Sequence, residues 1–347
     1  MNDMRESMVK DQVLVGVDGS ANSARAFEVA LAIAKRQGWS LRLIGCYSVT
    51  FADHESGLTV SEDFRRAMES YARHPLEAFA EQAKADGVAA SFATYDEHAA
   101  DALVRESASA RLAVVGKRGR NRFAGRFLGS VSGALAAHGH CSALVIPEKW
   151  ETPDPSRIFA PEQDQPGGEH AATEPTELLS ESAPPRSPGK GFRNVADQMN
   201  FRQEIVVGVD LGESSRRIAL AAARFAEMFG RSLTLVSATA LNADAWYPDP
   251  VERTIDVPDI RAHCTDHLAA LVAIVKDRHP ELDVHWRFYS GTPAGVLSEA
   301  TRTASVVAVG TRGHGGFAGL LMGSVSQSVL NRSASPVLVV PTLKNTV

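Results

Sequence analysis

Residues 112–130 read LAVVGKRGRNRFAGRFLGS and residues 306–324 read VVAVGTRGHGGFAGLLMGS, so an apolar strand followed by a glycine-rich loop occurs twice in this chain. Upstream of each loop, residues 13–20 read VLVGVDGS and residues 205–212 read IVVGVDLG. The segments of one half align with those of the other at nearly the same spacing. An internal repeat of this length indicates that one structural unit is encoded twice.

Strand-like and helix-like segments alternate within each copy. The strands are almost continuous apolar runs, which is typical of parallel strands covered by helices on both faces. We predict strands near 13–18, 40–47, 89–95, 111–116 and 142–146, and in the second copy near 204–209, 232–238, 282–289, 305–310 and 336–340. Helices are predicted in the first copy near 21–37, 62–86, 99–109 and 129–138. This alternation indicates the α/β class, with two copies of an open five-stranded parallel sheet doubly wound with helices.

Prolines mark the segment between the copies. Eight of the seventeen prolines lie between residues 151 and 190. This composition favours a disordered tether, because the segment has too little apolar surface to compensate for the entropy lost on ordering. The predicted domains are therefore residues 1–147 and 203–347, and residues 148–202 are predicted to form a flexible linker.

The overall charge and composition exclude several classes of protein. Lys and Arg number 36 against 41 Asp and Glu, and this net charge of −5 does not favour nucleic acid or an anionic membrane as a partner. The three cysteines form no pattern typical of disulfides or metal ligation. The chain has no signal-like start and no apolar run of roughly 18 residues that would span a membrane. We expect a cytoplasmic protein.

The glycine loops are the candidate binding sites, because ligands of open parallel sheets bind beyond the carboxyl ends of the strands. Glycine lets the backbone approach a ligand closely and adopt positive φ. The Gly-Ser pair that ends each loop opens a helix, whose first N–H groups attract an anion such as a phosphate. The candidate phosphate-binding residues are Gly116, Gly119, Gly129, Ser130, Val131 and Ser132, and in the second copy Gly310, Gly313, Gly323, Ser324, Val325 and Ser326.

An alternative is that these glycines only punctuate a loop and that Ser130 is the N-cap of its helix, a common role for serine. The same spacing in both copies favours the phosphate site. The first loop contains five basic residues, and of these we expect only Lys117 and Arg118 to lie near the phosphate.

Asp18 and Asp210 end the first strand of each copy, at the centre of the predicted binding edge. A carboxylate there can accept hydrogen bonds from a ribose hydroxyl or a base amine, or hold a phosphate-bound cation. Capping of the following helix is the alternative. Leu211 places an apolar side chain at the rim of the second site, which makes that site the weaker candidate.

These motifs resemble those of the universal stress proteins, and the resemblance covers residues 12–147 and 203–341. It implies a Rossmann-like fold of the adenine nucleotide α-hydrolase type, binding of ATP with Mg²⁺, and a regulatory or protective role under stress. The spacing Gly-x2-Gly-x9-Gly-Ser is the family's element for holding ribose and phosphates, and the first-strand aspartate lies beside the nucleotide. The resemblance also implies adenine contacts at Cys46 and Ala238.

The first copy departs from the family pattern after its third strand. It has Glu97-His98-Ala99-Ala100 where the second copy has Gly291-Thr292-Pro293-Ala294, so we expect a reshaped rim in the first copy. No catalytic residue and no protein metal ligand is assigned.

We expect nucleotide binding with little turnover. Two alternatives stay open: a slow ATP hydrolase, and a scaffold for protein partners that binds no nucleotide. The fifth strand of each copy forms a bare sheet edge, and bare edges invite pairing. This favours an intramolecular pseudo-dimer of the two copies, and leaves a homodimer open.

Overall fold

The computed structural model describes residues 10–49, 61–119, 128–148, 150, 158–159, 199–239, 257–312 and 322–342. The chain divides into two compact units. The first unit comprises residues 1–156 with 343–347, and the second comprises residues 157–342.

The first unit is a five-stranded parallel sheet wound with helices. Its strands are β1 (Lys10–Gly16), β2 (Ser40–Tyr47), β3 (Ala90–Asp96), β4 (Ala110–Gly116) and β5 (Ser142–Ile146). Its helices are α1 (Ala21–Gln37), α2 (Glu62–Ala85), α3 (Ala99–Glu106) and α4 (Ser130–His138). Neighbouring strands are parallel in the order β3-β2-β1-β4-β5.

The second unit repeats this architecture. Its strands are β6 (Ile205–Gly208), β7 (Leu233–Thr239), β8 (Val284–Ser290), β9 (Val306–Gly310) and β10 (Val337–Val340). Its helices are α5 (Ser214–Phe229), α6 (Val257–Arg278), α7 (Pro293–Ala300) and α8 (Ser324–Arg332). The parallel order is β8-β7-β6-β9-β10. The predicted α/β fold is therefore confirmed in each unit.

The central strands form the core because both of their faces are covered. Val13, Leu14 and Val15 alternate between the two faces of β1, and all three are fully buried. Burying one such side chain contributes about 1.5–3 kcal/mol. The first helix is delimited as its sequence indicates. The hydroxyl of Ser20 accepts a hydrogen bond from a first-turn N–H, and Gly38 ends the helix at φ 68°.

One predicted helix is shorter than expected. The prediction near 99–109 ends as a helix at Glu106, and a 3₁₀ turn, Ser107–Ser109, follows it. Ser107 Oγ donates to the carbonyl of Val104 at 2.6 Å, and such local bonds compete with the helical ladder.

The predicted linker contains residues that pack within the second unit. Ile158, Phe159, Met199 and Phe201 are all buried there. The flexibility of the rest of that segment stays a prediction. Within the described part of the chain, no helix is long and apolar enough to cross a membrane.

Candidate functional site

The order of the strands reverses between β1 and β4, and this reversal positions the candidate site of the first unit. β1 pairs with β2 on one side and with β4 on the other, all in parallel. A crevice forms beyond the carboxyl ends of two strands that lead away in opposite directions. Asp18 follows β1 and Gly116 ends β4, so the topology brings these two predicted site residues to one place.

Asp18 and Gly119 meet at this crevice. A Cβ atom on Gly119 would collide with Asp18 Oδ2, so a larger residue would have to displace the carboxylate. Asp18 Oδ1 accepts a hydrogen bond from the main-chain N–H of Ser20 at 2.9 Å, which fixes the orientation of the carboxylate. The loops that follow β1 and β4 therefore contact each other through the Asp18 carboxylate and the backbone of Gly119.

Gly116 is required by packing. A Cβ atom at this position would lie 2.9 Å from both the Cβ and the carbonyl oxygen of Asn22 in α1. Asn22 Nδ2 also donates to the carbonyl of Arg118 at 3.2 Å, which holds the start of the glycine loop against α1. Asn22 is a positioning residue that the sequence analysis missed, because nothing in its local sequence indicates a contact with a distant loop.

The first turn of α4 presents main-chain N–H groups at the end of the loop. Its N-cap is Gly129, and no side chain among the described residues caps the N–H groups of this turn. Gly129 N donates to the carbonyl of Lys117 at 3.0 Å, which closes the loop. The first-turn N–H groups belong to Ser130, Val131 and Ser132. The alternative that Ser130 is the N-cap is wrong, because Ser130 is the first helical residue.

The second unit has the same arrangement. The N-cap of α8 is Gly323, at φ −67° and ψ 148°, and no described side chain caps this helix either. Gly323 N donates to the carbonyl of Thr311 at 2.7 Å. Ser324 and Val325 therefore start α8 as Ser130 and Val131 start α4.

Ser132 and Ser326 point back into the protein. Ser132 Oγ donates to the carbonyl of Lys117 at 2.9 Å, and Ser326 Oγ donates to the carbonyl of Gly310 at 2.6 Å. Both serines are buried. Their hydroxyls join the start of each helix to the end of the preceding strand, and each residue offers a ligand its main-chain N–H group.

The predicted positive φ is wrong for the loop glycines that the structure describes. None of them has a left-handed backbone, and the two N-caps Gly129 and Gly323 lie at φ −66° and −67°. Glycine is needed at these positions because the loop backbone lies very close to neighbouring atoms. A Cβ atom on Gly129 would lie 3.1 Å from the carbonyl oxygen of Lys117. Gly313 and three arginines of the first loop, Arg120, Arg122 and Arg126, lie outside the described residues.

The two cations expected near the phosphate differ in their surroundings. The Arg118 guanidinium pairs with Glu148 Oε2 at 3.3 Å. Lys117 is 8% exposed. Burial and the neighbouring Arg118 charge lower the pKa of Lys117 to about 8, while Glu148 acts in the opposite direction. The second unit has Thr311 at the position of Lys117, and its hydroxyl hydrogen-bonds that of Thr342 at 2.6 Å.

Asp210 is held differently from Asp18. Its Oδ1 accepts hydrogen bonds from Gly212 N at 2.9 Å and from Ser215 Oγ at 2.8 Å. The capping alternative is wrong for both aspartates, because the N-caps of the following helices are Ser20 and Glu213. Leu211 lies beside it and is 43% exposed, as expected for an apolar side chain at the rim.

Cys46 and Ala238 occupy matching positions near the ends of β2 and β7. Cys46 pairs in register with Tyr95, and Ala238 pairs with Tyr289. Burial raises the pKa of the Cys46 thiol to about 12, and the nearby Glu97 charge acts in the same direction. The side chain is therefore a neutral, small group at neutral pH.

The rim beside Cys46 differs between the units, as the sequence predicts. Glu97 accepts two hydrogen bonds from Arg105, at 2.6 and 2.8 Å, and this hydrogen bonding lowers the pKa of Glu97. The guanidinium of Arg105 lies over the ring of Tyr95, 5.0 Å from its centroid. At the same place in the second unit, Thr292 caps α7 and Pro293 follows it. The first unit thus has the Glu97–Arg105 ion pair where the second unit has a helix start capped by Thr292.

Among the described residues, no group of three or more His, Cys, Asp and Glu side chains is placed to hold a metal ion. A cation at this edge would depend on Asp18 and on oxygens of the ligand itself.

Comparison with known proteins identifies related sequences. The sequence model of the universal stress protein family matches residues 10–147 and 202–341. A universal stress protein of Mycobacterium tuberculosis strain H37Rv is 28% identical over 342 residues, covering 94% of each chain. A universal stress protein of Mycolicibacterium smegmatis is 27% identical over 346 residues, covering 97% of this chain and 99% of the relative.

One solved structure shares the fold over almost the whole chain. A universal stress protein from Archaeoglobus fulgidus has a TM-score of 0.60 at 18% identity, covering 96% of this chain and 99% of that one. A universal stress protein crystallised in complex with cAMP is 26% identical, with a TM-score of 0.31, and covers 41% of this chain and 98% of its own.

Proposed function

The chain belongs to the universal stress protein family and is a stress-response protein, and from this premise we propose that its first unit binds ATP as the magnesium complex. The observation that carries the proposal is the start of α4. Gly129 brings the N–H groups of the first turn to the mouth of the crevice between β1 and β4 and, as a glycine, has no side chain to cap them. Such a helix start binds phosphate through its N–H groups and its partial positive charge.

Asp18 supports a role for the nucleoside part of the ligand. Its Oδ1 is held by Ser20 N, and its carboxylate lies against the backbone of Gly119. A carboxylate fixed at this edge suits the hydroxyl groups of a ribose. Mg²⁺ supplies charge neutralisation of the phosphates when bound, and Asp18 offers oxygen, the ligand atom that this ion prefers.

The end of β2 suits the adenine ring. The neutral thiol of Cys46 presents a small, polarisable surface, and the Glu97–Arg105 pair borders it. In the second unit Ala238 takes the place of Cys46. We propose that adenine lies against these positions.

The second unit is the weaker site in this proposal. Asp210 is bonded to Ser215 Oγ and Gly212 N, so a nucleotide there competes with a bond that holds the start of α5. The equivalent of Lys117 is the uncharged Thr311. We therefore expect the first unit to fill at lower nucleotide concentration than the second.

Equilibrium titration of the purified full chain with magnesium-ATP tests the proposal. We expect Asp18→Ala to abolish the tighter binding step and Asp210→Ala to leave that step in place. Absence of any binding to the wild-type chain would contradict the proposal and favour the scaffold alternative. Release of labelled phosphate in the same samples, lost in Asp18→Ala, would indicate the slow hydrolase. The cytoplasmic location, the pairing of the two copies and a homodimer stay predictions.

A further inference from the structure

Two residues from the proline-rich segment between the copies are buried in the second unit. Ile158 is fully buried and Phe159 is 5% exposed. The ring of Phe159 packs edge-on against Phe229 at the end of α5, with 5.4 Å between the ring centroids. Burial of two large apolar side chains stabilises the attachment of this segment to the second unit, because it removes apolar surface from water. A solvated tether has no such stabilisation.

The backbone of the same dipeptide is recognised by two polar side chains. Arg231 Nε donates to the carbonyl of Ile158 at 3.1 Å, and its Nη2 donates to the carbonyl of Phe159 at 2.6 Å. Ser305 Oγ donates to the Ile158 carbonyl as well, at 3.2 Å. The rigid fork of an arginine matches two adjacent acceptors, and buried carbonyls require such partners.

This site lies at the edge of the sheet opposite to the glycine loop. Arg231 precedes β7 and Ser305 precedes β9, so both lie at the amino-terminal edge. The first unit has Trp39 at the position of Arg231 and Arg111 at the position of Ser305. Arg111 is paired with Asp11, with 2.6 Å between Nε and Oδ1. The residues that hold the dipeptide therefore belong to the second unit alone.

The far end of the intervening segment returns to the same place. Met199 and Phe201 are buried, and the carbonyl of Met199 accepts a hydrogen bond from Thr303 Oγ1 at 3.2 Å. Phe201 N donates a hydrogen bond to Thr303 Oγ1 at 3.1 Å. Thr303 is separated from Ser305 by one residue, so both described ends of the segment are bonded to one short stretch of backbone.

We propose that Phe229, Arg231 and Ser305 form a docking site for an apolar dipeptide, and that Ile158–Phe159 of the same chain is its occupant. Phe159 and Met199, the described residues on either side of residues 160–198, are both buried in the second unit. The stretch between Glu148, which pairs with Arg118 in the first unit, and Ile158 is then much shorter than the linker of residues 148–202 that the composition predicts. The dipeptide thus anchors the intervening segment to the second unit.

The test uses the full chain carrying Ile158→Cys, with maleimide labelling quantified at that cysteine by peptide mass spectrometry so that the native cysteines stay in place. We expect labelling in the folded protein to be at least about tenfold slower than in the chain unfolded by guanidinium, because a buried thiol reacts only after local opening. Adding Arg231→Ala removes both guanidinium bonds and should bring the rate to within about threefold of the unfolded one.

Arg217→Ala is the matched control, because that guanidinium donates to the carbonyl of Thr342 at the opposite edge, at 3.2 Å. It should leave the slow labelling unchanged. Labelling of the parent at the unfolded rate would overturn the proposal, and so would slow labelling that persists in a folded Arg231→Ala protein. If circular dichroism shows that Arg231→Ala does not fold, Phe159→Ala replaces it, with the same expected acceleration and the same contrary result.

Discussion

Gly119 approaches Asp18 so closely that a methyl group on the glycine would collide with Asp18 Oδ2. The two residues follow β4 and β1, the adjacent strands at which the strand order reverses. The contact therefore joins the glycine loop to the first-strand carboxylate. A ligand that binds beside one of the two residues also lies beside the other.

Gly119→Ala should displace the Asp18 carboxylate and lower both stability and ATP affinity. The obstructing atom is the outer end of a side chain that can rotate, so the loss of stability should lie at the low end of the about 1–3 kcal/mol that overpacking costs. Asp18→Ala removes the obstructing group, so the double variant should lose less stability than the sum of the two single changes. Calorimetric melting of all four proteins measures this coupling. Strict additivity would show that the contact is absent in solution.

Ser132→Ala should reduce stability because it removes the hydroxyl that donates to the Lys117 carbonyl. That carbonyl keeps its hydrogen bond from Gly129 N, so the expected cost is that of one net hydrogen bond, about 0.5–1.5 kcal/mol. Ser130→Ala is the comparison, since Ser130 is exposed at the start of the same helix and surface changes usually stay within about 0.5 kcal/mol. Urea unfolding distinguishes the two. Equal stability of both variants would contradict a structural role for the Ser132 hydroxyl.

The burial of Lys117 predicts a dependence of stability on pH. Its pKa is lowered to about 8 in the folded protein, below the ordinary 10.5, so between these values the unfolded chain binds the proton and the folded chain does not. The contribution of Lys117 to the free energy of unfolding therefore rises as the pH rises from about 8 to 10.5. The stability of Lys117→Met relative to wild type should fall as the pH rises from 7 to 10. A difference that does not change with pH would contradict this assignment.

Cys46 should react slowly with alkylating reagents. Its pKa is raised from 9.0 to about 12, so its thiolate fraction near pH 8 is about a thousandfold smaller than that of an unshifted thiol. Iodoacetamide labelling, read at this residue by mass spectrometry, should stay slow until the pH approaches 12. Labelling that levels off near pH 9 would show that the thiol is ordinary and accessible.

The sheet and its binding edge were predictable because their signals are local. The apolar runs of β1 and β4 and the serine and glycine that delimit α1 all act on neighbouring residues. The glycine spacing located both helix starts correctly. The reason given for those glycines was partly wrong, since close approach is required and positive φ is not.

The remaining features depend on contacts between residues far apart in the sequence. Nothing near Asn22 indicates that it holds the carbonyl of Arg118, and nothing near Lys117 shows that its ammonium is buried. The same holds for Ile158 and Phe159, which lie in a proline-rich composition typical of disorder but meet an arginine some 70 residues later. Composition averages over a segment and misses a two-residue anchor.

The central claim is that main-chain N–H groups at the start of α4 bind the phosphates, and calorimetric titration with magnesium-ATP of Ser130→Pro beside Ser130→Ala tests it most directly. Both variants lose the hydroxyl, but only proline removes the N–H, and proline suits this first helical position after an extended Gly129. The account predicts that Ser130→Pro binds at least about tenfold more weakly than Ser130→Ala, as expected for a lost hydrogen bond to a charged group. Equal affinity of the two variants would contradict it.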